Sequence, residues 1–267
     1  MDENADEYKD LRLSVCSDRR RAVLLSLNEG TKSLAELQKE LKTEKSALIH
    51  GLRELEGEHL VRQDRMRRYV VTPIGRVAAR KVIDFRRAME VLKKHEAFWS
   101  EHDLGGIPDD VFDRIGSLRD ATLISGVPTD LFKAMRRFVD LLQDSPLLSL
   151  VSSIYIPNID AIVLEKFASE ETRIELVLTE AVLQHFIDEA ERTRLKETRG
   201  KHLTLRMLHD DPKLVLVVTD RFMALAVYRA DGTFDYSSIL MSENLEAIAW
   251  SKQLFDHYVS VSAEVTL

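Results

Sequence analysis

The 267-residue chain is predicted to be an α+β protein with two domains. Helical patterns and one β-hairpin fill the first 75 residues, whereas strand and helix patterns alternate beyond residue 120. Between them, a Gly-Gly-Ile-Pro segment near residues 100–110 follows a long helical pattern and marks a boundary. We therefore place one domain at residues 1–99, including a connecting helix at about 73–99, and a second α/β domain at residues 105–267.

The net charge of −7 argues against a protein that coats nucleic acid or membrane indiscriminately, but the charge is unevenly distributed. Residues 1–95 carry 21 basic and 16 acidic side chains, and the remainder carries 17 and 29. Such asymmetry is typical of a chain in which one part meets a polyanion. Ordinary solvated helix faces would give the same numbers, so both interpretations stay open at this stage.

Composition also bears on compartment and chemistry. No stretch approaches the about 18 apolar residues of a membrane span, and the acidic N-terminus lacks a signal-peptide pattern. A single cysteine, Cys16, excludes an intrachain disulfide and a multi-cysteine metal site. We expect a cytoplasmic protein with no membrane partner. Cys16 lies on an apolar helical pattern, where it is either a packed thiol or a redox switch.

Three helices are predicted before residue 43, and the second and third are indicated by their caps. A short apolar helix is predicted at Leu11–Cys16. Ser17 is placed to cap a second helix that ends at Gly30, and Ser33 to cap a third. Glu36 stands at the third position of that helix, which completes a capping box.

A fourth helix is predicted at Glu44–Glu56, with Thr43 as its cap. Leucines recur on one face at spacings of four and three and define a buried stripe: Leu48, Leu52 and Leu55. The opposite face carries small and polar side chains, which suit insertion into a DNA groove. That face and its flanks comprise Lys45, Ser46, Ala47, Ile49, His50, Arg53 and Gly57.

A β-hairpin follows this helix. Leu60–Asp64 and Arg67–Thr72 are predicted strands, joined by a tight turn at Arg65-Met66, and Pro73 then begins the connecting helix. Three arginines are bunched at the tip: Arg65, Arg67 and Arg68.

The segments Leu52–Glu56, Leu60-Val61 and Tyr69–Gly75 together resemble the winged helix-turn-helix of ArsR-type and related prokaryotic regulators, over roughly residues 11–80. In that family the helix before the hairpin reads the major groove and the hairpin is a wing on the DNA backbone. The family usually has glycine, which takes a left-handed turn, where this chain has His59. Histidine tolerates that conformation better than most residues, so we keep the assignment.

The resemblance implies double-stranded DNA as a partner. The implied DNA-binding residues are Thr43, Lys45, Ser46, Ala47, His50, Arg53, Arg65, Arg67 and Arg68. Similar helix–hairpin units also serve only to dock partner proteins, which is the alternative. The basic wing favours DNA, because arginines at such a tip contact phosphates without reading sequence.

The connecting helix carries an apolar seam with alternating spacings of four and three. Its members are Ala78, Val82, Phe85, Met89, Leu92 and Trp99. The seam packs either within its own domain or against a second subunit. Winged-helix regulators commonly dimerise in this way, so a homodimer is expected, with Val82, Phe85, Met89 and Leu92 at its interface. The C-terminal domain is the other place where the dimer could form.

The C-terminal part is predicted to have a largely parallel core with an added antiparallel portion. The predicted strands are Ala121–Gly126, Ser153–Pro157, Arg173–Thr179, His202–Leu208, Leu214–Thr219, Ala224–Tyr228 and Phe234–Leu240. The predicted helices are Thr129–Gln143, Ile159–Phe167, Glu180–Arg192 and Glu243–Tyr258.

Three segments of this part, Asp120–Val127, Arg173–Leu183 and Val215–Gly232, resemble the sensing domain of a family of archaeal regulators described from methanogens. This resemblance implies a ligand-sensing and dimerisation role here. The sensing domain is in turn similar to the phospholipase-D-like fold. Phospholipase-D catalysis needs a His-x-Lys pair, and neither His202-Leu203-Thr204 nor His209-Asp210-Asp211 supplies the lysine.

No other catalytic motif is visible either. The sequence contains no phosphate-binding loop, dinucleotide fingerprint or Gly-x-Ser-x-Gly elbow. His209-Asp210-Asp211 is either a metal ligand set or, as we expect, a polar turn before Pro212. We therefore predict a protein that is not an enzyme and that uses no cofactor and no metal.

An effector is expected beyond the carboxyl ends of the sheet strands, where ligands bind in open α/β sheets. The residues predicted at such ends are Ser125, Tyr155, Thr179, Asp220 and Arg221. Each is either an effector contact or a turn residue. The sequence thus predicts a transcriptional regulator in which a small-molecule effector shifts the relative pose of two DNA-binding wings. A protein-docking module and an inactive phosphodiesterase-like domain are the alternatives.

Overall fold

A computed structural model shows two compact units, Met1–Arg87 and Ala88–Leu267. The structure describes residues 17–126, 129–130, 133–134, 136, 142, 145–156, 162, 172–192 and 203–265. The division falls within the connecting helix, earlier than the boundary placed at residues 99–105. Three predicted elements lie wholly or mostly outside the described residues: Leu11–Cys16 with its cysteine, Thr129–Gln143 and Ile159–Phe167.

The first unit consists of helices and a two-stranded antiparallel hairpin, in the predicted order. The elements are α1 (Asp18–Glu29), α2 (Leu34–Leu41), α3 (Lys45–Gly57), β1 (Val61–Gln63), β2 (Tyr69–Val71) and α4 (Pro73–Lys94), which continues past the unit boundary. The predicted leucine stripes form the core, and Leu24, Leu37, Leu48, Leu52 and Leu55 are all fully buried. An α+β fold with an N-terminal helix–hairpin unit is therefore confirmed.

Two of the three predicted caps are present. The Ser17 hydroxyl accepts a hydrogen bond from the Arg20 amide, and Ser33 forms a capping box with Glu36, whose carboxylate lies 2.6 Å from the Ser33 amide. The cap predicted at Thr43 is wrong. Glu44 occupies that position without a side-chain cap, because the Thr43 hydroxyl donates to the Leu41 carbonyl and closes the preceding turn.

The segment between hairpin and α4 is closed by close backbone contacts. The Thr72 hydroxyl donates to the His59 carbonyl at 2.7 Å and accepts from the Gly75 amide at 3.0 Å. A Cβ on Gly75 would lie 1.9 Å from the Leu60 carbonyl oxygen, so only glycine fits there. His59 has a φ of 58°, which confirms the predicted left-handed turn.

The connecting helix is interrupted. The sequence predicts one helix through Trp99, but α4 ends at Lys94, and α5 (Glu96–Glu101) begins after His95. The Trp99 indole donates to the Val91 carbonyl at 3.2 Å, and the Lys94 amine donates to the Ala121 carbonyl at 2.6 Å. These contacts turn the chain so that the Trp99 ring is buried in the second unit.

The second unit contains an eight-stranded mixed sheet with the order β10-β6-β5-β4-β7-β8-β9-β3. The strands are β3 (Thr122–Ser125), β4 (Leu147–Ser152), β5 (Arg173–Thr179), β6 (Leu203–Leu208), β7 (Leu214–Val218), β8 (Met223–Val227), β9 (Ser238–Ser242) and β10 (Ala263–Val265). Among these described strands, only β4, β5 and β6 are mutually parallel, and their other pairings are antiparallel. The core is therefore less parallel than predicted.

Strand positions differ from the prediction in three places. The strand predicted at Ser153–Pro157 is wrong: β4 ends at Ser152, whose hydroxyl donates to the Ile154 carbonyl at 2.7 Å and turns the chain. β9 begins four residues later than predicted, because Asp235 is buried in the preceding loop. The pattern also gave no sign of the edge strand β10.

Apolar layers cover both faces of the sheet, as the alternation along β7 shows: Val215 and Val217 face one layer, Leu214 and Leu216 the other. The first layer includes side chains of α7 (Glu180–Arg192), which matches its prediction. The second is formed mainly with α8 (Leu245–Ser260), together with the short helix α6 (Asp109–Phe112) and a 3-10 turn at Ile115–Leu118. In the described parts of the chain, no helix is long and apolar enough to cross a membrane.

Candidate nucleic-acid interface

Helix α3 presents the polar face that its periodicity predicts. Lys45, Ser46, His50 and Arg53 are exposed, and Ala47 is half-buried beside them. The buried leucines on the opposite side fix the rotation of the helix in its unit. Thr43, just before α3, is half-buried, and its hydroxyl is already hydrogen-bonded to the Leu41 carbonyl in the preceding turn. The exposed face thus offers one arginine, one lysine, one hydroxyl and one imidazole to a ligand.

One acidic side chain, that of Glu54, contacts a residue of that face. Glu54 lies 2.8 Å from the Arg20 guanidinium of α1 and 3.2 Å from Nδ1 of His50, one turn earlier on α3. Partial burial opposes ionisation of Glu54, but the hydrogen bond and charge of Arg20, with the contact to His50, outweigh it and lower the Glu54 pKa. Glu54 therefore joins two helices while holding the imidazole.

The hairpin tip is a structured turn. The Asp64 carboxylate accepts hydrogen bonds from the amides of Met66 at 2.8 Å and Arg68 at 2.9 Å, and Arg67 adopts a φ of 60°. Arg65, Met66 and Arg67 consequently point away from the unit, and Met66 is 82% exposed. The sequence reasoning missed Asp64, although aspartate at the first position of a turn is its recognisable signal.

Arg68 differs from its two neighbours. Its guanidinium donates to the Thr31 carbonyl at 2.6 Å and lies 3.5 Å from the Glu36 carboxylate. Lys32 and Tyr69 exchange backbone hydrogen bonds beside it, at 3.1 and 2.8 Å. Arg68 thus ties the base of the hairpin to the loop before α2, whereas Arg65 and Arg67 remain exposed at the tip.

The four residues predicted for dimerisation lie in different surroundings. Val82 is buried, Phe85 is 56% exposed, and Met89 and Leu92 are half-buried, with Leu92 packed on the core of the second unit. The exposed apolar side chains of α4 include two that the pattern missed, Ile74 and Val77.

The structure does not bring the five predicted effector residues together. Tyr155 follows β4, and Thr179 is the last residue of β5, which runs parallel to β4. Both therefore lie at the edge of the sheet that is formed by the carboxyl ends of these two strands. Because β7 runs antiparallel to β4, Asp220 and Arg221 lie at the opposite edge. Ser125 lies at the first edge but at the far end of the sheet order. The prediction that all five mark one set of strand ends is therefore corrected.

A small, open apolar pocket of about 30 Å³ lies beside Tyr155. Its walls come from β4, β5 and α7 and include Leu150, Leu176 and Phe186. The rings of Tyr155 and His185 meet edge to face at 3.9 Å between centroids. This pocket is a small apolar depression at that edge of the sheet.

A buried polar cluster in the second unit was also missed. His102 Nε2 lies 3.1 Å from the Asp235 carboxylate, and the Arg229 guanidinium lies 3.2 Å from its other oxygen. Burial opposes ionisation of Asp235, but hydrogen bonds from Ser237 and His102 outweigh it and lower the pKa to about 2. His102 and Asp235 are far apart in sequence, so no local sequence pattern predicts their contact. In the described ranges, no cluster of His, Cys, Asp and Glu could hold a metal ion.

Two protein-family models match the chain. Residues 131–261 match the family described as the middle domain of the methanogenesis regulatory protein FilR1, and residues 8–94 match the HVO_A0261 N-terminal domain. The chain is similar to a regulatory protein. That relative, the methanogenesis regulatory protein FilR1 of Methanothrix harundinacea, is 25% identical over 268 residues, which cover 99% of this chain.

This chain spans 60% of the length of that relative. The relative and the family matching residues 131–261 are both named for regulation, which agrees with the prediction that the chain is not an enzyme.

Two solved structures are also similar. TrmBL2, an archaeal chromatin protein, is 16% identical with a TM-score of 0.44, over 91% of this chain and 92% of that one. The phospholipase D family member Nuc from Salmonella typhimurium is 10% identical with a TM-score of 0.39, over 55% and 99%.

Proposed function

We propose that the protein is a DNA-binding transcriptional regulator. The observation that carries the proposal is the combination of the exposed polar face of α3 with a rigid hairpin whose tip presents Arg65 and Arg67. A helix enters the major groove while a basic hairpin contacts the backbone. Similarity to a protein named as a methanogenesis regulator supports the same function. The proposal places the protein in the cytoplasm, with double-stranded DNA as its partner.

The residues on α3 divide the work of recognition in this proposal. Arg53 contacts a guanine edge, Ser46 and His50 contact neighbouring base edges, and Ala47 meets a thymine methyl group. Lys45, at the start of the helix, contacts a phosphate. The backbone of Thr43, just before the helix, can also contact a phosphate. Arg68 positions the wing through Thr31 and makes no primary phosphate contact.

A homodimer would place two such units on paired half-sites. We assign the interface to the exposed apolar side chains of α4, which are Ile74, Val77 and Phe85, together with the half-buried Met89. Leu92 supports the interface from within the second unit, because it packs against the core of that unit, and Val82 is a buried residue of the same helix.

Allosteric control is proposed to come from the second unit. A small apolar effector would bind in the pocket beside Tyr155 and shift the equilibrium between two arrangements of the dimer. Thr179 lies at the same sheet edge and is retained as a neighbouring contact. Asp220, Arg221 and Ser125 are not expected to touch the same molecule, because of their places in the sheet.

The salt dependence of DNA affinity tests the proposal. The logarithm of DNA affinity falls linearly with the logarithm of salt concentration, and each phosphate contact adds about 0.9 to the steepness of that fall. The double variant Arg65→Ala with Arg67→Ala should therefore make the slope shallower by about 2. Arg68→Ala should change it by less. Fluorescence anisotropy with a labelled duplex, selected by the protein from fragmented genomic DNA, measures these slopes.

Arg221→Ala is the matched control, since it removes an exposed arginine from the second unit and should leave the slope unchanged. An unchanged slope in the Arg65 and Arg67 double variant, with the fold intact by circular dichroism, would refute the wing's role.

A further inference from the structure

We propose that Met66, at the tip of the hairpin, is an apolar wedge that enters the DNA minor groove, opens one base step and bends the duplex. The inference rests on the proposed DNA-binding function and adds a contact to the bases from a second element of the same unit. The hairpin would then deform the DNA as well as hold its backbone.

The tip of the hairpin exposes a large apolar side chain. Met66 is 82% exposed, and among the described residues from Ser17 to Val71 it is the only large apolar side chain that is exposed. A single exposed methionine needs no explanation by itself. Met66, however, stands between the exposed Arg65 and Arg67, so the apex combines one apolar group with two cations.

The backbone that carries Met66 is held rigidly. The Asp64 carboxylate accepts hydrogen bonds from the amides of Met66 at 2.8 Å and Arg68 at 2.9 Å. The Asp64 amide donates to the Arg68 carbonyl at 2.8 Å, and the Arg67 amide donates to the Asp64 carbonyl at 3.1 Å. Arg67 completes the turn in a left-handed conformation with a φ of 60°. These contacts fix the direction in which Met66 leaves the hairpin.

The base of the hairpin is fastened to the rest of its unit. The Arg68 guanidinium donates to the Thr31 carbonyl at 2.6 Å, and Lys32 and Tyr69 exchange backbone hydrogen bonds at 3.1 and 2.8 Å. Tyr69 is itself buried in the core of the unit. A load on the tip is therefore carried by the core, which a wedge requires because it must oppose base stacking.

The shape and charge of the tip match the minor groove. That groove is about 6 Å wide, which is too narrow for a helix but admits a turn. Arg65 and Arg67 flank Met66 in the chain, so they can contact phosphates of the groove walls while Met66 reaches the floor. Methionine is long, unbranched and flexible, and it adapts to an irregular gap such as the one between two base pairs.

The surroundings of Met66 favour DNA over a partner protein. Apolar side chains that anchor protein–protein interfaces lie within apolar patches or well-packed pockets. Met66 has cationic neighbours on both sides instead, and cations of this kind are attracted to the negative potential of a narrow minor groove. The tip therefore suits a polyanion that has an apolar interior, which describes the stacked bases of a duplex.

Unstacking is measured with 2-aminopurine, an adenine analogue whose fluorescence is quenched when it stacks. The probe replaces each adenine in turn in a duplex that the protein has selected from fragmented genomic DNA. Binding should raise the fluorescence at one step, which we expect to be a pyrimidine–purine step because such steps unstack most easily. Energy transfer between dyes at the duplex ends should report a bend of about 20–90°.

Base analogues identify the groove. At the opened step, replacement of A·T by G·C adds an amino group to the floor of the minor groove and should weaken binding about tenfold. Inosine·cytosine lacks that amino group but keeps the major-groove pattern of G·C, so it should restore the affinity. Affinity that inosine fails to restore would place the contact in the major groove and overturn the inference.

Variants of Met66 separate the wedge from the phosphate contacts. Met66→Ala should lower DNA affinity about tenfold, the effect of one apolar side chain that is no longer buried, and should abolish the fluorescence rise and the bend. The slope of affinity against salt should stay unchanged, because no charge is removed. Met66→Leu keeps an apolar wedge and should retain the bend, whereas the polar Met66→Gln should lose most of it.

Leu245→Ala is the matched control, because Leu245 is an apolar residue of the second unit that is 78% exposed, and this variant should bind and bend DNA as the unaltered protein does. All of these positions are exposed, so the thermal unfolding midpoint should not change in any variant.

The outcomes are distinct. Sequence-selective binding without unstacking or bending overturns this inference and leaves the proposed function standing. The same holds if the unstacking and the bend persist in Met66→Ala. Absence of DNA binding by the unaltered protein overturns the proposed function, and this inference with it.

Discussion

The two units of the chain are built from interactions of different range. In the first, several structural devices join neighbours in sequence, as in the capping box of Ser33 and Glu36 and the turn held by Asp64. In the second, the sheet is assembled from distant segments, so that Thr122 pairs with Met241. Local devices are visible in a sequence, and distant pairings are not, which is why the first unit was the more predictable.

The units also differ in charge. The net charge of −7 combines a balance of +5 over residues 1–95 with −12 over the rest. The acidic part would be repelled by a polyanion, so any contact with DNA should be confined to α3 and the hairpin.

The largest effect is expected from two glycines, one in each unit. A Cβ on Gly75 would lie 1.9 Å from the Leu60 carbonyl oxygen, and one on Gly106 would lie 2.0 Å from that of Pro212. Each alanine substitution should cost about 3 kcal/mol in its own unit, because the backbone must move. Both tryptophans, Trp99 and Trp250, lie in the second unit and report its unfolding by fluorescence, while circular dichroism reports both.

Gly57→Ala is the control, because nothing lies within 4 Å of its added Cβ, and it should be neutral or stabilising. If Gly75→Ala lowered the unfolding midpoint measured by tryptophan fluorescence as much as Gly106→Ala does, the two units would not unfold separately.

A smaller effect should distinguish the units at low pH. The folded pKa of Asp235, about 2, lies below its ordinary 3.8, so the ionised carboxylate stabilises the second unit above about pH 4. As the pH falls from about 4 to about 2, the unit should lose about 2 kcal/mol from this group. Urea unfolding followed by tryptophan fluorescence at each pH measures the loss.

Asp235→Asn should abolish that part of the pH dependence, whereas Asp231→Asn, exposed in the same loop, should retain it. A second unit equally stable at both pH values would contradict the assignment.

The smallest effect should be common to both units. Ser33 caps α2 and Asn244 caps α8, where its side chain accepts from the Glu246 amide at 2.8 Å. Alanine at either position should cost about 1 kcal/mol, measured by thermal unfolding. Ser46→Ala, an exposed serine without a capping role, should change stability by less. A much larger loss at one cap would mean that local devices do not contribute alike in the two units.

Prediction from sequence succeeded where a residue type and its spacing define a shape. The stripe of Leu48, Leu52 and Leu55 and the left-handed turn at His59 are both present. It failed at β4, because the run Leu147–Ser152 is buried on both sides and has no period to read. The strand was therefore placed on the residues that follow it.

The candidate sites show the same limit. The exposed face of α3 follows from helical periodicity, since a buried stripe determines its opposite. Arg68 differs from Arg67 because its guanidinium donates a hydrogen bond to the Thr31 carbonyl. The spacing of residues in the hairpin cannot predict that contact. Likewise, Asp220 and Arg221 were grouped with Tyr155 because strand direction was assumed, and the antiparallel β7 reverses it.

The pairing of β3 with β9 has a consequence for synthesis on the ribosome. β3 is the first strand of its sheet to be translated, yet its partner, Ser238–Ser242, is made only after β4 to β8. The hairpin, by contrast, closes within a few residues. The first unit can therefore fold while translation continues, whereas β3 of the nascent second unit stays unpaired until β9 has been made. A chain truncated before Ser238 would carry a folded first unit attached to an aggregation-prone partial sheet.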